Sequence, residues 1–282
     1  MRILVIGGDK RMDYAAEKLS EQYETKRYLD SDASALGRFG AVVLPLPLTK
    51  NGSDIFSPTL NAPVAFETIG KFAEDGALIF AGGESKKLSD FCTEKGFHLE
   101  NYFSHETLTL RNAALTAEAA CAMLSQSTNG ALLNSRALIT GYGRIAKFLA
   151  SRLKANGCEV TIAARRAEQR ETAVLDGFAA VSVEEMTEKL HDYDYIANTV
   201  PFALFSEDDF RRMRAECVFI ELATLPEQPV HSYAERCGIR YVYASGLPGK
   251  CSPKAAGIYI AEEITGALKK TSDIAQLARP TT

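Results

Sequence analysis

A short apolar run, Ala137-Leu138-Ile139, leads directly into Gly141-Tyr142-Gly143-Arg144-Ile145-Ala146, and about twenty residues later a second run, Glu159 to Ala164, ends in Arg165-Arg166. Between them Ile145, Phe148, Leu149 and Leu153 recur at helical spacing, and Asn156-Gly157 supplies a stop. Few folds accept this order of signals. Gly141 allows a tight turn off the strand, Gly143 removes a side chain where backbone must approach a pyrophosphate, and Ala146 lets the helix pack close to the sheet. The spacing therefore predicts a βαβ unit that binds a dinucleotide on the N–H groups opening the helix, contributed by Gly141, Tyr142, Gly143, Arg144 and Ile145.

The end of the second strand bears on the choice of cofactor. A ribose 2′-hydroxyl is held by an acid about twenty residues after the glycines, whereas a 2′-phosphate calls for arginine. Ala163-Ala164-Arg165-Arg166 carries no carboxylate, the nearest being Glu168. NADP is expected, with NAD possible, and Arg165 and Arg166 are its expected phosphate ligands. The competing reading is two arginines that cap a helix or lie in solvent.

Further strand ends join this site. Asn198-Thr199-Val200-Pro201 closes Tyr195 to Thr199, and Thr199, Val200 and Pro201 are expected along the nicotinamide ribose. Glu221-Leu222-Ala223-Thr224 closes Val218 to Leu222 and brings Ala223 to the same rim. A glycine- and proline-rich segment, Ala244 to Lys254, follows the strand Arg240 to Tyr243 and brings Pro248. Without a ligand, Asn198 and Thr199 would simply end a strand before a proline turn.

The first third alternates strands and helices. Strands are predicted at Arg2 to Ile6, Thr25 to Tyr28, Ala41 to Leu46, Ala77 to Ala81 and His98 to Asn101, with helices at Asp13 to Tyr23, Val64 to Glu74 and Glu84 to Lys95. This rhythm implies a parallel sheet covered on both faces. Its ligand-side loops would be Gly7 to Arg11, Pro45 to Thr49 and Gly82 to Ser85. A linking helix is predicted from Arg111 to Thr128 and a final helix from Pro253 to Lys270. The expected fold class is therefore α/β, with two doubly wound parallel-sheet domains. A flavodoxin-like N-terminal domain, 1–111, is joined by the tail 253–282, and a Rossmann dinucleotide-binding domain spans 112–252. The cleft between them is the expected active site.

Composition removes several function classes. The formal charge is −4 over 282 residues, and no long basic run offers a nucleic-acid surface. No apolar run approaches a membrane span, and the first residues read as a core strand instead of a signal peptide, so a cytoplasmic protein is expected. The 6 cysteines show no CxxC pair and no histidine at ligand spacing, which predicts reduced thiols and no metal site.

Gly7-Gly8-Asp9 with Arg11, the Gly141 turn, Ala164-Arg165, Asn198-Thr199-Val200-Pro201, and above all Gly246-Leu247-Pro248-Gly249 with Ser252-Pro253-Lys254-Ala255-Ala256-Gly257 resemble the A subunit of dipicolinate synthase, in the same order along nearly the whole chain. The resemblance implies oxidation of dihydrodipicolinate to dipicolinate with reduction of a nicotinamide cofactor. It also implies a second, flavoprotein-like synthase subunit, homo-oligomer formation, and the mother cell of a spore-forming bacterium. A planar dicarboxylate needs cationic or hydroxyl clamps at both ends, and Arg11 and Lys254 are expected from the two sides of the cleft, with Ser85 and Ser252 adding hydroxyls. Thr116 and Glu118, at the predicted start of the linking helix, would reach the cleft floor, with Glu118 as proton acceptor; an acid in a first turn also serves the helix dipole. Where the family pattern often carries Arg before Pro, this chain has Leu225-Pro226.

Two other functions remain open. A D-2-hydroxyacid dehydrogenase shares the two-domain layout but needs a late histidine acid, and His231 is the last histidine. A non-catalytic NADP-binding regulatory protein would keep the glycine turn and need no substrate clamp.

Overall fold

The computed structural model describes residues 1–28, 36–127, 130–224 and 229–277, with side chains as far as Thr271. The expected departure at Leu225-Pro226 lies outside the described residues. The chain divides into two compact units, Met1–Asn112 with Ser252–Thr282, and Ala113–Cys251.

The first unit is a five-stranded parallel sheet. Its strands are β1 (Arg2–Val5), β2 (Glu24–Arg27), β3 (Phe39–Val43), β6 (Ala73–Ala81) and β7 (His98–Asn101), in the order β2-β1-β3-β6-β7. This is the flavodoxin-like order expected from the alternating pattern. Ile3, Val5, Ala41 and Val43 face α1 (Lys10–Ser20) and α11 (Pro253–Leu277), while Leu4, Ile6, Val42 and Leu44 pack with Ile69 and Leu88 on the other face. Burial of both faces is why these strands read as continuous apolar runs. A small antiparallel pair, β4 (Asp54–Ile55) and β5 (Val64–Ala65), lies in the β3–β6 connection.

Several helices differ from their predicted bounds, the final one running on to Leu277. The segment Val64 to Glu74 contains β5, a 3₁₀ turn at Phe66–Thr68 and only the short α2 (Ile69–Phe72), because Ala73 already pairs with Phe39 as β6 begins. Sheet pairing overrides helix propensity there. α1 begins at Lys10, three residues early, since Asp9 caps it by accepting from the Arg11 N–H. The linking helix α4 runs Glu106–Gln126, with Glu106 in its first turn. α3 (Lys86–Lys95) starts two residues later than predicted, because the Ser85 side chain caps it, and ends where predicted.

The second unit has six parallel strands: β8 (Arg136–Thr140), β9 (Glu159–Ala163), β10 (Ala179–Val181), β11 (Tyr195–Asn198), β12 (Val218–Glu221) and β13 (Arg240–Tyr243). Their order, β10-β9-β8-β11-β12-β13, is that of a doubly wound dinucleotide fold, with its switch point between β8 and β11. α5 (Arg144–Ala155) buries Ala146, Leu149, Ala150 and Leu153, one apolar stripe at helical spacing, and Gly157 at φ +84° closes it. α6 (Ala167–Leu175), α7 (Val183–Glu188), α8 (Glu207–Arg212) and α9 (Val230–Arg236) complete the layers. The glycine- and proline-rich segment after β13 contains a helical turn, α10 (Leu247–Cys251), with Pro248 tolerated in its first turn. Among the described residues no helix is long and apolar enough to cross a membrane.

Candidate functional site

At the switch point of the second sheet the chain leaves β8 through Gly141, at φ +79°. A side chain there would place Cβ 2.8 Å from Val200 Cγ2 and 3.1 Å from Thr199 Oγ1, so the two loops touch because residue 141 has none. Gly143 is different: a Cβ built on it meets nothing within 4 Å. That open ground lies at the start of α5, where first-turn N–H groups and the positive end of the helix favour an anion. A cavity of about 300 Å³ extends from there, lined by the Gly141-Tyr142-Gly143 turn, Ala163 to Arg166, Gln169, Val183, Thr199 to Phe202, and Leu204. Its described lining has apolar walls, two guanidinium groups and no carboxylate, which fits a dinucleotide bearing an extra phosphate.

This cavity brings together Gly141, Tyr142, Gly143, Arg165, Arg166, Thr199, Val200 and Pro201. Tyr142 can offer only its backbone, because its ring packs with Phe178 and its hydroxyl donates to Asp176 Oδ2 at 2.7 Å. Arg144 and Ile145 follow as the first turn of α5. Ala223 is 6 % exposed and its N–H donates to Glu221 Oε1 at 3.0 Å, so that group is already engaged. Pro248 is buried in α10, outside the cavity lining.

Two features behind the cavity lining were not predicted. Arg170 sends Nη1 to the carbonyl oxygens of Ala164 and Arg165, at 2.8 and 2.9 Å, and so fixes the backbone that carries the arginine pair. Its place four residues after Arg166, on the same face of one helix, was the available signal. Glu221 is 0 % exposed at the end of β12, and burial pushes its carboxyl up to about 7 against the hydrogen bonds it accepts from Asn198 and the Ala223 N–H. An acid inside the apolar run Val218-Phe219-Ile220 was its signal.

The expected substrate residues are arranged otherwise than predicted. Arg11 and Lys254 do not belong to different units; both lie in the first, near the starts of α1 and α11. These helices pack so closely that a Cβ on Gly257 would overlap Arg11 O. Arg11 is 7 % exposed and forked onto Asp9, with Nε to Oδ1 and Nη2 to Oδ2 both at 2.9 Å, and the guanidinium holds the Asp9 carboxyl below its ordinary range despite burial. It is thus half of an ion pair. Lys254 is exposed and Ser252 is half-buried. The Ser85 hydroxyl accepts from the Leu88 N–H at 3.3 Å as the cap of α3. Thr116 and Glu118 sit in the middle of α4, so the expected first-turn placement is corrected. Two residues apart on a helix they point to different sides, Thr116 buried and Glu118 exposed.

The loops expected over the first sheet do meet. A Cβ on Gly8 would lie 3.0 Å from Pro45 Cβ, and one on Gly82 would overlap Pro45 O. Such close packing needs glycine at both places.

Comparison with known proteins agrees with this two-part organisation. Residues 20–103 match the N-terminal domain of the dipicolinate synthase A subunit, and residues 111–224 match the NAD binding domain of the D-isomer specific 2-hydroxyacid dehydrogenases. The chain is 25 % identical over 281 residues to the dipicolinate synthase A subunit of Bacillus subtilis (strain 168), covering 94 % of this chain and 95 % of that one. The crystal structure of the A subunit from Bacillus halodurans superposes with a TM-score of 0.82 at 22 % identity, over 99 % of this chain and 98 % of that one. That of its Bacillus subtilis counterpart gives 0.82 at 23 %, covering 97 % of each. A phosphoglycerate oxidoreductase from Vibrio cholerae gives 0.62 at 13 %, over 97 % and 99 %, a likeness of fold alone. The family resemblance and the α/β fold read from the sequence are borne out, and the second unit is a nicotinamide dinucleotide-binding domain of the dehydrogenase type.

Proposed function

Starting from a chain similar to the A subunit of dipicolinate synthase along its length, we propose that it is a dehydrogenase oxidising dihydrodipicolinate to dipicolinate with NADP as acceptor. The observation that carries the cofactor choice is the described cavity lining, with a glycine turn, Arg165 and Arg166 and no carboxylate. Bound NADP would supply the hydride acceptor.

The chain's own residues would bind and orient. N–H groups at the start of α5 receive the pyrophosphate, Arg165 and Arg166 the 2′-phosphate, and the Thr199-Val200-Pro201 turn bounds the nicotinamide ribose. Aromatisation of the ring drives loss of hydride and proton, so positioning supplies most of the catalysis. Lys254, Ser252 and Arg11 are proposed for the substrate carboxylates, Arg11 as a weaker clamp because Asp9 already offsets its charge. Ser85 and Thr116 are proposed as hydroxyl contacts, and Glu118, exposed on α4, as the proton acceptor.

The match of residues 111–224 to the hydroxyacid dehydrogenases favours oxidation of a 2-hydroxy acid as the second reading. Those enzymes use a late histidine acid, and here His231 packs edge-on against Tyr241 with ring centroids 5.3 Å apart.

The test is turnover of dihydrodipicolinate, with NADP and NAD compared, by the purified chain alone and together with a second, flavoprotein-like subunit. Turnover with NADP preferred supports the proposal. No turnover in either preparation, with cofactor binding indifferent to dipicolinate, overturns it, and turnover of a 2-hydroxy acid instead supports the second reading.

A further inference from the structure

The final residues of three adjacent strands form one buried row. Asn198 of β11 stands in register with Thr140 of β8 on one side and Glu221 of β12 on the other. Thr140 and Glu221 are 0 % exposed and Asn198 is 1 %. No lysine, arginine or histidine pairs with the carboxylate among the described residues; its partners are donors with no charge. Asn198 Nδ2 lies 3.0 Å from both Oε1 and Oε2, and the Ala223 N–H donates to Oε1 at 3.0 Å.

This arrangement fixes which way the Asn198 amide points. An ionised carboxylate only accepts, so Nδ2 must face it. Oδ1 is then turned toward the Thr140 hydroxyl, which donates at 2.6 Å, and the Val200 N–H, which donates at 3.1 Å. Nδ2 also donates to Val200 O at 3.2 Å. A reversed amide would set Oδ1 against the carboxylate and Val200 O, and Nδ2 against the Val200 N–H. Val200 is the residue whose side chain stands over Gly141 in the dinucleotide cavity.

We propose that Glu221 is a positioning residue of the cofactor cleft: its carboxylate orients Asn198, Asn198 holds Val200 against the glycine turn, and dinucleotide affinity thereby depends on the charge of a residue the cofactor does not touch. The proposal rests on the reading of this cleft as the dinucleotide site. A proton on Glu221 turns one of the two oxygens facing Nδ2 into a donor and leaves a single acceptor there, so the hold of the carboxyl on the amide weakens.

Burial brings the Glu221 carboxyl to about 7, so the change falls in an accessible range. The other titratable groups on neighbouring elements are Tyr243, in register with Glu221 on β13, Tyr241, and His231 of α9 edge-on to Tyr241. The Tyr241 phenol is pushed up to about 12, chiefly by burial and also by Glu221, and is neutral throughout. Histidine is the side-chain type whose charge ordinarily changes between about pH 5 and 8, so a His231 variant is the necessary control.

The experiment is calorimetric titration of the full chain with NADP and with NAD at about pH 6, 7 and 8, using wild type, Glu221→Gln, Thr140→Val and His231→Gln. NAD is included because a phosphate ester itself ionises near pH 6. Linkage to one proton allows a fall of about tenfold in affinity between pH 8 and pH 6, expected in wild type with both nucleotides. Glu221→Gln is expected to bind several-fold more weakly at pH 8, with the slope gone and no fall in melting temperature. Thr140→Val, which loosens only the far side of Asn198, is expected to bind more weakly and keep the slope; with the wild-type profile it decides the matter if Glu221→Gln does not fold.

An unchanged slope in Glu221→Gln, a flat wild-type profile, or a slope that vanishes in His231→Gln overturns the positioning role. Wild type binding neither nucleotide overturns the cofactor reading itself, and that result is visible before any variant is made.

Discussion

Arg170 Nη1 lies 2.9 Å from the carbonyl oxygen of Arg165 and 2.8 Å from that of Ala164, so one arginine holds the backbone that carries the Arg165-Arg166 pair of the cavity. Hydrogen bonds from a charged donor contribute about 1.5–3 kcal/mol when both partners are well placed. Arg170→Leu is therefore expected to weaken NADP by roughly tenfold through loss of the mount. NAD should lose less. Equal losses, measured by calorimetry, would mean that Arg170 supports the fold of α6 and not the phosphate end.

Removing the pair directly gives a sharper contrast. Arg165→Ala with Arg166→Ala should reduce NADP affinity by on the order of 2–4 kcal/mol and leave NAD nearly unchanged, since only the former carries the phosphate. If both nucleotides weaken alike, the 2′-phosphate is read elsewhere.

The two glycines of the turn should separate fold from function. Gly141→Ala places Cβ at φ +79° and 2.8 Å from Val200 Cγ2, which should cost about 1–3 kcal/mol of stability in a denaturant melt. Gly143→Ala meets nothing within 4 Å at an ordinary φ of −91°, so the melt should barely move. Dinucleotide affinity should nevertheless fall, because the methyl group occupies the approach to the pyrophosphate. A Gly143→Ala protein that binds normally would show that the pyrophosphate lies elsewhere.

Glu221 predicts a stability change of unusual sign. Its folded-state pKa of about 7 is raised from 4.5, so between those values the folded protein binds the proton more tightly than the unfolded chain does. Its contribution to stability therefore falls as pH rises through that window, and above it the buried charge costs on the order of 3 kcal/mol. Glu221→Gln should melt higher than wild type at about pH 8, with the difference closing toward about pH 5. A lower melting temperature at both pH values would show that the charge is compensated inside the fold.

The sequence made some of this legible and hid the rest for physical reasons. The glycine turn, the helix after it and the arginine strand end were readable because each depends on backbone conformation or charge at a fixed local spacing. The cavity brings together residues from those segments that sit at strand ends, Gly141, Arg165 and Thr199 among them. What was hidden depends on partners far along the chain. Glu221 and Asn198 are 23 residues apart and become neighbours only through strand register. Asp9 was read only as part of a ligand-side loop, neither as the cap of α1 nor as the counter-ion of Arg11. The two-sided placement of Arg11 and Lys254 failed because Gly257 seats α11 on α1, a contact no local pattern encodes. The early start of α4 moved Thr116 and Glu118 from a helix end to its middle, a boundary error with consequences for both residues.

The first unit is built from Met1–Asn112 and Ser252–Thr282, with the second unit made entirely of the residues in between. One face of its sheet, carrying Ile3, Val5, Ala41 and Val43, is covered by α1 together with α11. On a ribosome this reverses the usual rule that the N-terminal domain matures first. The nucleotide-binding half can close its core as soon as Cys251 has emerged, while the half that was started earlier waits, with one face of its sheet only partly covered by α1, until α11 has been translated. Chains arrested before Pro253 should accordingly be cut by protease in their first hundred residues and resist it in the next, a polarity opposite to the direction of synthesis.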